Sequence, residues 1–252
     1  MKRKIALITG ATSGIGDATA RRLAGNGFDV IITGRRNERL KDLKDKLEKE
    51  GARVLALCFD VRVEPEVKSA IENLPDDWKK IDVLVNNAGL AAGLVTLQEG
   101  DTGDWNRMID TNVKGLLYVT RHVSPLMIKQ EKGHIINIGS IAGKEVYPDG
   151  NVYCATKHAV DALTKGMRMD MLKHGIKVTQ VCPGAVETEF SIVRFHGDEE
   201  RAAKVYEGFD NLLADDIADC ILFAVSRPAH VNINDMIVMP TAQATASLFC
   251  KK

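Results

Sequence analysis

Three residues in one stretch have the types and spacing to do chemistry at an oxygen atom: Ser140, Tyr153 and Lys157, within GHIINIGSIAGKEVYPDGNVYCATKHAVDALTK at residues 133–165. A phenol and an ammonium four residues apart on a helix share one face. The positive neighbour is expected to stabilise phenolate and to draw a pKa that starts near ~10 towards neutrality. A tyrosine so tuned gives or takes a proton, and a serine hydroxyl nearby can hold the oxygen concerned. Read by itself, Tyr-x-x-x-Lys is common enough to favour a helix with one polar face and a serine-containing loop. The positioning elements decide. The apolar run 135–138 predicts a buried strand that delivers Ser140 at its carboxyl end. A turn-rich segment with Gly143, Pro148, Asp149 and Gly150 follows, and a helix is expected to begin near Tyr153.

A second motif lies at the amino end. Residues 4–9, KIALIT, form a short apolar run that fits a buried parallel strand. TGATSGIG and a helical pattern over 15–23 come next. Strand, glycine-rich turn and helix is the setting in which such glycines mean dinucleotide binding. Gly10 permits the tight turn, Gly14 lets backbone approach the cofactor, and Gly16 lets the helix pack. The spacing is G-x-x-x-G-x-G, and the helix amino end still offers free N–H groups to a phosphate.

TGATSGIG, Asn86-Asn87-Ala88-Gly89, Asn112, Ser140, Tyr153-x-x-x-Lys157 and Pro183-Gly184, in this order over essentially the whole chain, resemble the short-chain dehydrogenase/reductase family. The resemblance implies one α/β Rossmann domain spanning 1–252, a doubly wound parallel sheet of about seven strands flanked by helices. Its cofactor-binding half would run to about residue 130, with a catalytic and substrate-lid half after it. It implies catalytic roles for Asn112, Ser140, Tyr153 and Lys157, with Asn112 kinking its helix and holding a water of the proton relay. Cofactor contacts would come from Gly10, Thr12, Ser13, Gly14, Ile15 and Gly16. Asp60 would bind the adenine amino group and Val61 pack beside the ring. Asn87, Ala88 and Gly89 would lie along the adenosine ribose, Tyr153 and Lys157 on the nicotinamide ribose. Pro183, Gly184, Val186 and Thr188 would cover the nicotinamide.

Which nicotinamide cofactor is read from the end of the second strand, residues 29–33. An acid there binds a ribose 2′-hydroxyl, whereas arginine suits the 2′-phosphate of NADP. No acid occurs over 31–37, and Arg35 and Arg36 do. NADP(H) is therefore the expected cofactor, with Arg35 as the principal contact. The other reading is two exposed arginines opening the next helix.

The segments TEFSIVRFHGD at 188–198 and PAHVNIN at 228–234 resemble the branch of NADP-dependent 3-hydroxy acid dehydrogenases, which includes serine and allo-threonine dehydrogenases. That branch implies a small substrate such as serine, allo-threonine or 3-hydroxypropionate, held by Ser140 and Tyr153. Arg194 in the lid at 189–213 is the candidate for its carboxylate; a surface or inter-subunit arginine is the alternative. A reductase of 3-oxoacyl thioesters, sugars or steroid-like ketones is the rival enzyme. A silent cofactor-binding regulator is the rival outside enzymes, and the intact catalytic set argues against it.

Composition bounds the rest. Of 252 residues, 45% are hydrophobic, enough for a sizeable core. The 34 basic and 34 acidic residues cancel, so nothing points to nucleic acid or an anionic membrane. No apolar run nears the roughly 20 residues of a membrane helix, and the apolar start leads straight into the cofactor glycines, unlike a cleaved leader. The five cysteines are odd in number and lack paired ligand spacing, so free reduced thiols are expected. His122 and His134 read as structural, and no metal site is expected. The expected protein is a cytoplasmic homotetramer or homodimer acting on a small molecule.

Overall fold

The computed structural model describes residues 3–252. Seven parallel strands alternate with helices. In chain order these are β1 (Lys4–Ile8), α1 (Gly14–Gly25), β2 (Phe28–Gly34), α2 (Asn37–Lys49), β3 (Val54–Cys58), α3 (Glu64–Glu72), β4 (Ile81–Asn86), α4 (Thr102–Ile109), α5 (Leu116–Lys129), β5 (Gly133–Ile138), α6 (Asn151–Met171) and β6 (Ile176–Pro183). A lid follows: β7 (Val186–Glu187), α7 (Phe190–Arg194), α8 (Glu199–Lys204) and β8 (Leu212–Leu213). The chain then runs through α9 (Ala214–Val225) and β9 (Asp235–Val238). The sheet order is β3-β2-β1-β4-β5-β6-β9, with β7 and β8 as a separate small ladder.

Both faces of the sheet are covered, which is why β1 and the middle of β2 and β4 are apolar runs rather than alternating ones, while β5 and β6 also bury His134, Asn137, Thr179 and Gln180. Ala6, Ile8, Val30 and Ile32 face α1, α2 and α9. Ile5, Leu7, Ile31 and Leu84 face the opposite layer, with Val67 of α3, Val119 of α5 and Val160 of α6. The strand order reverses between β1 and β4, so the loops leaving their carboxyl ends part and open a crevice. The glycine turn, residues 86–89, Ser140 and Pro183-Gly184 all lie at the ends of strands on that edge, and Tyr153 and Lys157 lie in the first turns of the helix after β5.

The helical stretch over 102–129 is interrupted. A π-helical turn, Asp110–Gly115, separates α4 from α5 and centres on Asn112. The lid contains two short helices and a two-stranded ladder. Among the described residues no helix is long and apolar enough to cross a membrane.

One buried group makes the fold acid-sensitive. His134 in β5 is 3% exposed; its Nε2 pairs with Thr179 Oγ1 at 2.8 Å and its Nδ1 has no partner. Burial, with Lys177 and Lys4 nearby, pulls its pKa from the ordinary 6.5 down to about 3. Below pH 6.5 the unfolded chain takes up a proton that the folded chain refuses, so stability falls as pH drops towards 3. Between pH 7 and 4 the loss from this residue is about 3 kcal/mol. Urea unfolding at the two pH values is expected to show that loss, and His134→Gln to remove most of it. An equal loss in the variant would assign acid sensitivity to other groups.

Candidate active site

Ser140 leaves the end of β5 with extended backbone, and its Oγ accepts from the Ala142 N–H at 3.1 Å, capping a short turn that leads towards α6. Tyr153 and Lys157 stand on successive turns of α6 and are both buried. Tyr153 meets Phe190 of the lid edge-on, with ring centroids 5.7 Å apart.

The expected electrostatics need correction. The i, i+4 spacing puts the two side chains on one face, but Lys157 Nζ reaches back to β5 and donates to the Ile138 carbonyl at 2.9 Å. It lies 5.9 Å from the centre of the Tyr153 ring. Burial pulls its ammonium down to about 8. The Tyr153 phenol goes the other way: burial, reinforced by Tyr147, pushes it well above its ordinary value. The groups that oppose this rise are the Ser140 hydroxyl and the Arg194 guanidinium. Arg194 of the lid thus stands as close to the phenol ring as Lys157 of its own helix does, and it opposes the rise.

Arg194 closes α7. Its Nη2 donates to the Tyr147 hydroxyl at 2.9 Å and its Nε to the Gly93 carbonyl at 3.3 Å. Its guanidinium carbon lies 5.8 Å from the Tyr153 ring centre and 5.5 Å from that of Tyr147. These polar partners are neutral, so the charge is free to meet an anion beside Tyr153. Tyr147 escaped sequence reading because it sits in a loop at no regular spacing from the motif.

Asn112 works by bracing. Its Oδ1 accepts from Leu90 N–H at 2.8 Å, and its Nδ2 donates to the Leu90 carbonyl at 2.8 Å and Thr156 Oγ1 at 3.0 Å. The π turn presents this amide sideways, so one side chain ties the loop after β4 to the catalytic helix. Asn87 braces likewise, donating from Nδ2 to the Thr9 carbonyl at 2.9 Å and joining the carboxyl ends of β1 and β4.

All candidate residues named from the sequence line one cavity of about 500 Å³ except Gly16 and Asn112, which stand behind its wall. The glycine turn fits a dinucleotide for steric reasons. Gly10 and Gly14 have φ of +67° and +52°, and a Cβ on Gly14 would narrow the gap to Thr188 to 3.3 Å. A Cβ on Gly16 would lie 2.3 Å from the Gly10 carbonyl oxygen. The cavity runs without a break from Arg35 and Asp60 at one end to Ser140 and Tyr153 at the other.

At the first end the two arginines divide. Arg36 donates from Nε and Nη2 to Thr12 Oγ1, at 3.1 and 2.9 Å, and from Nη2 to Ser13 Oγ at 2.7 Å. Arg35 instead stands 3.7 Å from Asp60, whose carboxylate is bonded to Arg62 Nε at 2.9 Å. Arg36, rather than Arg35, is thus the one drawn against the glycine turn. Arg39 and Glu189 join it: Glu189 at the head of α7 accepts from Arg36 at 2.9 Å and from Arg39 at 2.7 Å. Neither Arg39 nor Glu189 carries a sequence signal, since their partners are distant in the chain. Together these groups form a basic end suited to an anionic dinucleotide and, at the other end, set a phenol beside a guanidinium.

A family model described as short chain dehydrogenase matches residues 4–198. The chain is 49% identical over 245 residues to an NADP-dependent 3-hydroxy acid dehydrogenase of Salmonella typhi, covering 97% of this chain and 98% of the relative. It is 46% identical over 241 residues to sulfoacetaldehyde reductase 2 of Chromohalobacter salexigens, covering 95% of each. Among solved structures, the closed form of serine dehydrogenase complexed with NADP+ superposes with a TM-score of 0.93 at 44% identity, covering 98% of this chain and 99% of that one.

Proposed function

Because the chain belongs to the short-chain dehydrogenase/reductase family, we propose that it is an NADP-dependent oxidoreductase acting on the hydroxyl of small 3-hydroxy acids, serine, allo-threonine and 3-hydroxypropionate among them. The observation that carries the substrate class is Arg194, a cation with neutral partners 5.8 Å from the Tyr153 ring. A carboxylate on that guanidinium leaves the hydroxyl of a three-carbon acid within reach of Tyr153. A sulfonate satisfies the same cation.

NADP, when bound, supplies the hydride acceptor or donor. Arg36 and Arg35 bind the 2′-phosphate, and Thr12, Ser13 and the α1 amino end take the neighbouring phosphates. Tyr153 transfers the proton at the reacting oxygen, while Ser140 holds that oxygen in place. Lys157 sits between β5 and the ribose side of the cavity, and Asn112 fixes the loop and helix that define its surroundings. Ile237 on the edge strand β9 and Phe223 on α9 are exposed apolar residues. They fit a homotetramer or homodimer in which a second copy covers them, and the five free thiols fit the cytoplasm.

The test is NADPH formation from NADP+ at alkaline pH with L-serine, allo-threonine, 3-hydroxypropionate and 3-hydroxyisobutyrate, beside a neutral secondary alcohol and an NAD+ control. Activity confined to the acids with NADP+ is expected. Arg36→Ala should lower kcat/KM for NADP+ by about 10- to 100-fold, the worth of charged hydrogen bonds, and barely move the value for NAD+. Turnover of the neutral alcohol alone would overturn the substrate class and leave the cofactor reading standing.

A further inference from the structure

The last residues of the chain form a wall of the substrate cavity. After β9, the segment 242–250 folds back on itself. Gln243 and Phe249 form an antiparallel bridge, and the Cys250 N–H donates to the Ala242 carbonyl at 2.8 Å. This hairpin is anchored at three places, each on a different part of the site. Gln243 is buried, and its Oε1 accepts from the Ala185 N–H at 2.8 Å, in the turn after Pro183-Gly184. At the tip, the Ala246 N–H donates to Glu145 Oε2 at 2.7 Å, in the loop between Ser140 and Tyr147. At the end, the Lys252 N–H donates to the Gly208 carbonyl at 2.8 Å, and the Phe249 ring packs 5.0 Å from that of Phe209 at the back of the lid.

Ala246 and Phe249 line the same cavity as Tyr153 and Arg194, together with Val205 and Tyr206 of the lid. Dinucleotide and substrate would share that one cavity. Ala246, Phe249 and Val205 give this part of its lining an apolar character. Nothing polar in the Phe249–Phe209 pair could recognise a substrate group; its contribution is shape.

We propose that the C-terminal hairpin is a length gate, with Phe249 the end wall that restricts the enzyme to short acids. The inference rests on the substrate reading given above. With Arg194 on the carboxylate and Tyr153 on the hydroxyl, the gate requires a longer chain to grow towards the side of the cavity lined by Ala246 and Phe249. Each further methylene then meets the Phe249 ring, and a rigid apolar wall discriminates by about 10-fold or more per clashing group.

The experiment measures kcat/KM with NADP+ for 3-hydroxypropionate, 3-hydroxybutyrate, 3-hydroxyhexanoate and 3-hydroxyoctanoate in the full-length enzyme. For Phe249→Ala, the values for the two longest acids are expected to rise about tenfold or more, with 3-hydroxypropionate within about threefold of the parent. Ala246→Leu fills the same space from the tip and should penalise 3-hydroxybutyrate relative to 3-hydroxypropionate by about tenfold. It keeps the proposal testable if Phe249→Ala loosens the hairpin. A parallel change across the series in both variants would overturn the gate. If the parent oxidises no hydroxy acid but does oxidise 2-alkanols, the substrate reading falls. The gate is then judged by the same ratios along the 2-alkanol series.

Discussion

Tyr153→Phe is expected to lower kcat by about 10³-fold, inside the range over which a positioned acid or base contributes, while leaving the affinity for NADP+ within twofold or so. The substitution deletes one hydroxyl and keeps the ring, so the edge-on contact with Phe190 persists. Fluorescence titration with NADPH separates the two effects. The pH profile adds a second readout. Burial holds the Tyr153 phenol protonated well above its ordinary value, so at neutral pH it is a proton donor, suited to carbonyl reduction. Alcohol oxidation needs the phenolate, and its rate should climb up to about tenfold per pH unit on the way to that pKa. The residual activity of the variant should lack this slope. A loss of less than about tenfold would point to another proton source, with Tyr147 the nearest phenol in the cavity.

Arg194→Ala is expected to raise KM for the hydroxy acids by about 100-fold, as the loss of a charge-assisted pair implies, and to change KM for a neutral secondary alcohol by less than threefold or so. Arg194 also ties the lid to Gly93, so general loosening is a competing outcome. Loosening would weaken acids and alcohol alike, and that pattern would sink the carboxylate role. The guanidinium also pulls against the rise in the Tyr153 pKa. Its removal should therefore shift the rising limb of the oxidation profile to higher pH for every substrate, charged or neutral. Arg194→Lys keeps the charge and loses the fork, so it should fall between the parent and Arg194→Ala.

Much of this site is local in the chain. Ser140 follows its strand directly, and Tyr153 and Lys157 are four apart on one helix. The glycine turn lies wholly within eight residues. Such features are dictated by strand and helix geometry and by steric limits on backbone, which act between near neighbours. β1, β2 and β5 were legible for a related reason: a sheet covered on both faces favours apolar runs, and residues 4–9, 29–33 and 135–138 stand in the sequence as such. The NADP reading rested on position in the same way, since residues just beyond the second strand reach the ribose whatever the rest of the chain does.

What the sequence determined, then, is the apolar strand runs, the glycine turn and the Ser140, Tyr153 and Lys157 trio, because each follows from contacts within one strand–turn–helix unit. Only the tertiary structure decided the electrical environment of the phenol. Helix spacing says that Lys157 neighbours Tyr153, but it does not say that Nζ reaches the Ile138 carbonyl instead, or that burial dominates both pKa values. Arg194 with Tyr147, Glu189 with Arg36 and Arg39, and the hairpin carrying Phe249 are likewise meetings of distant segments. Long-range pairing depends on how loops close over a finished core, and no local periodicity encodes it.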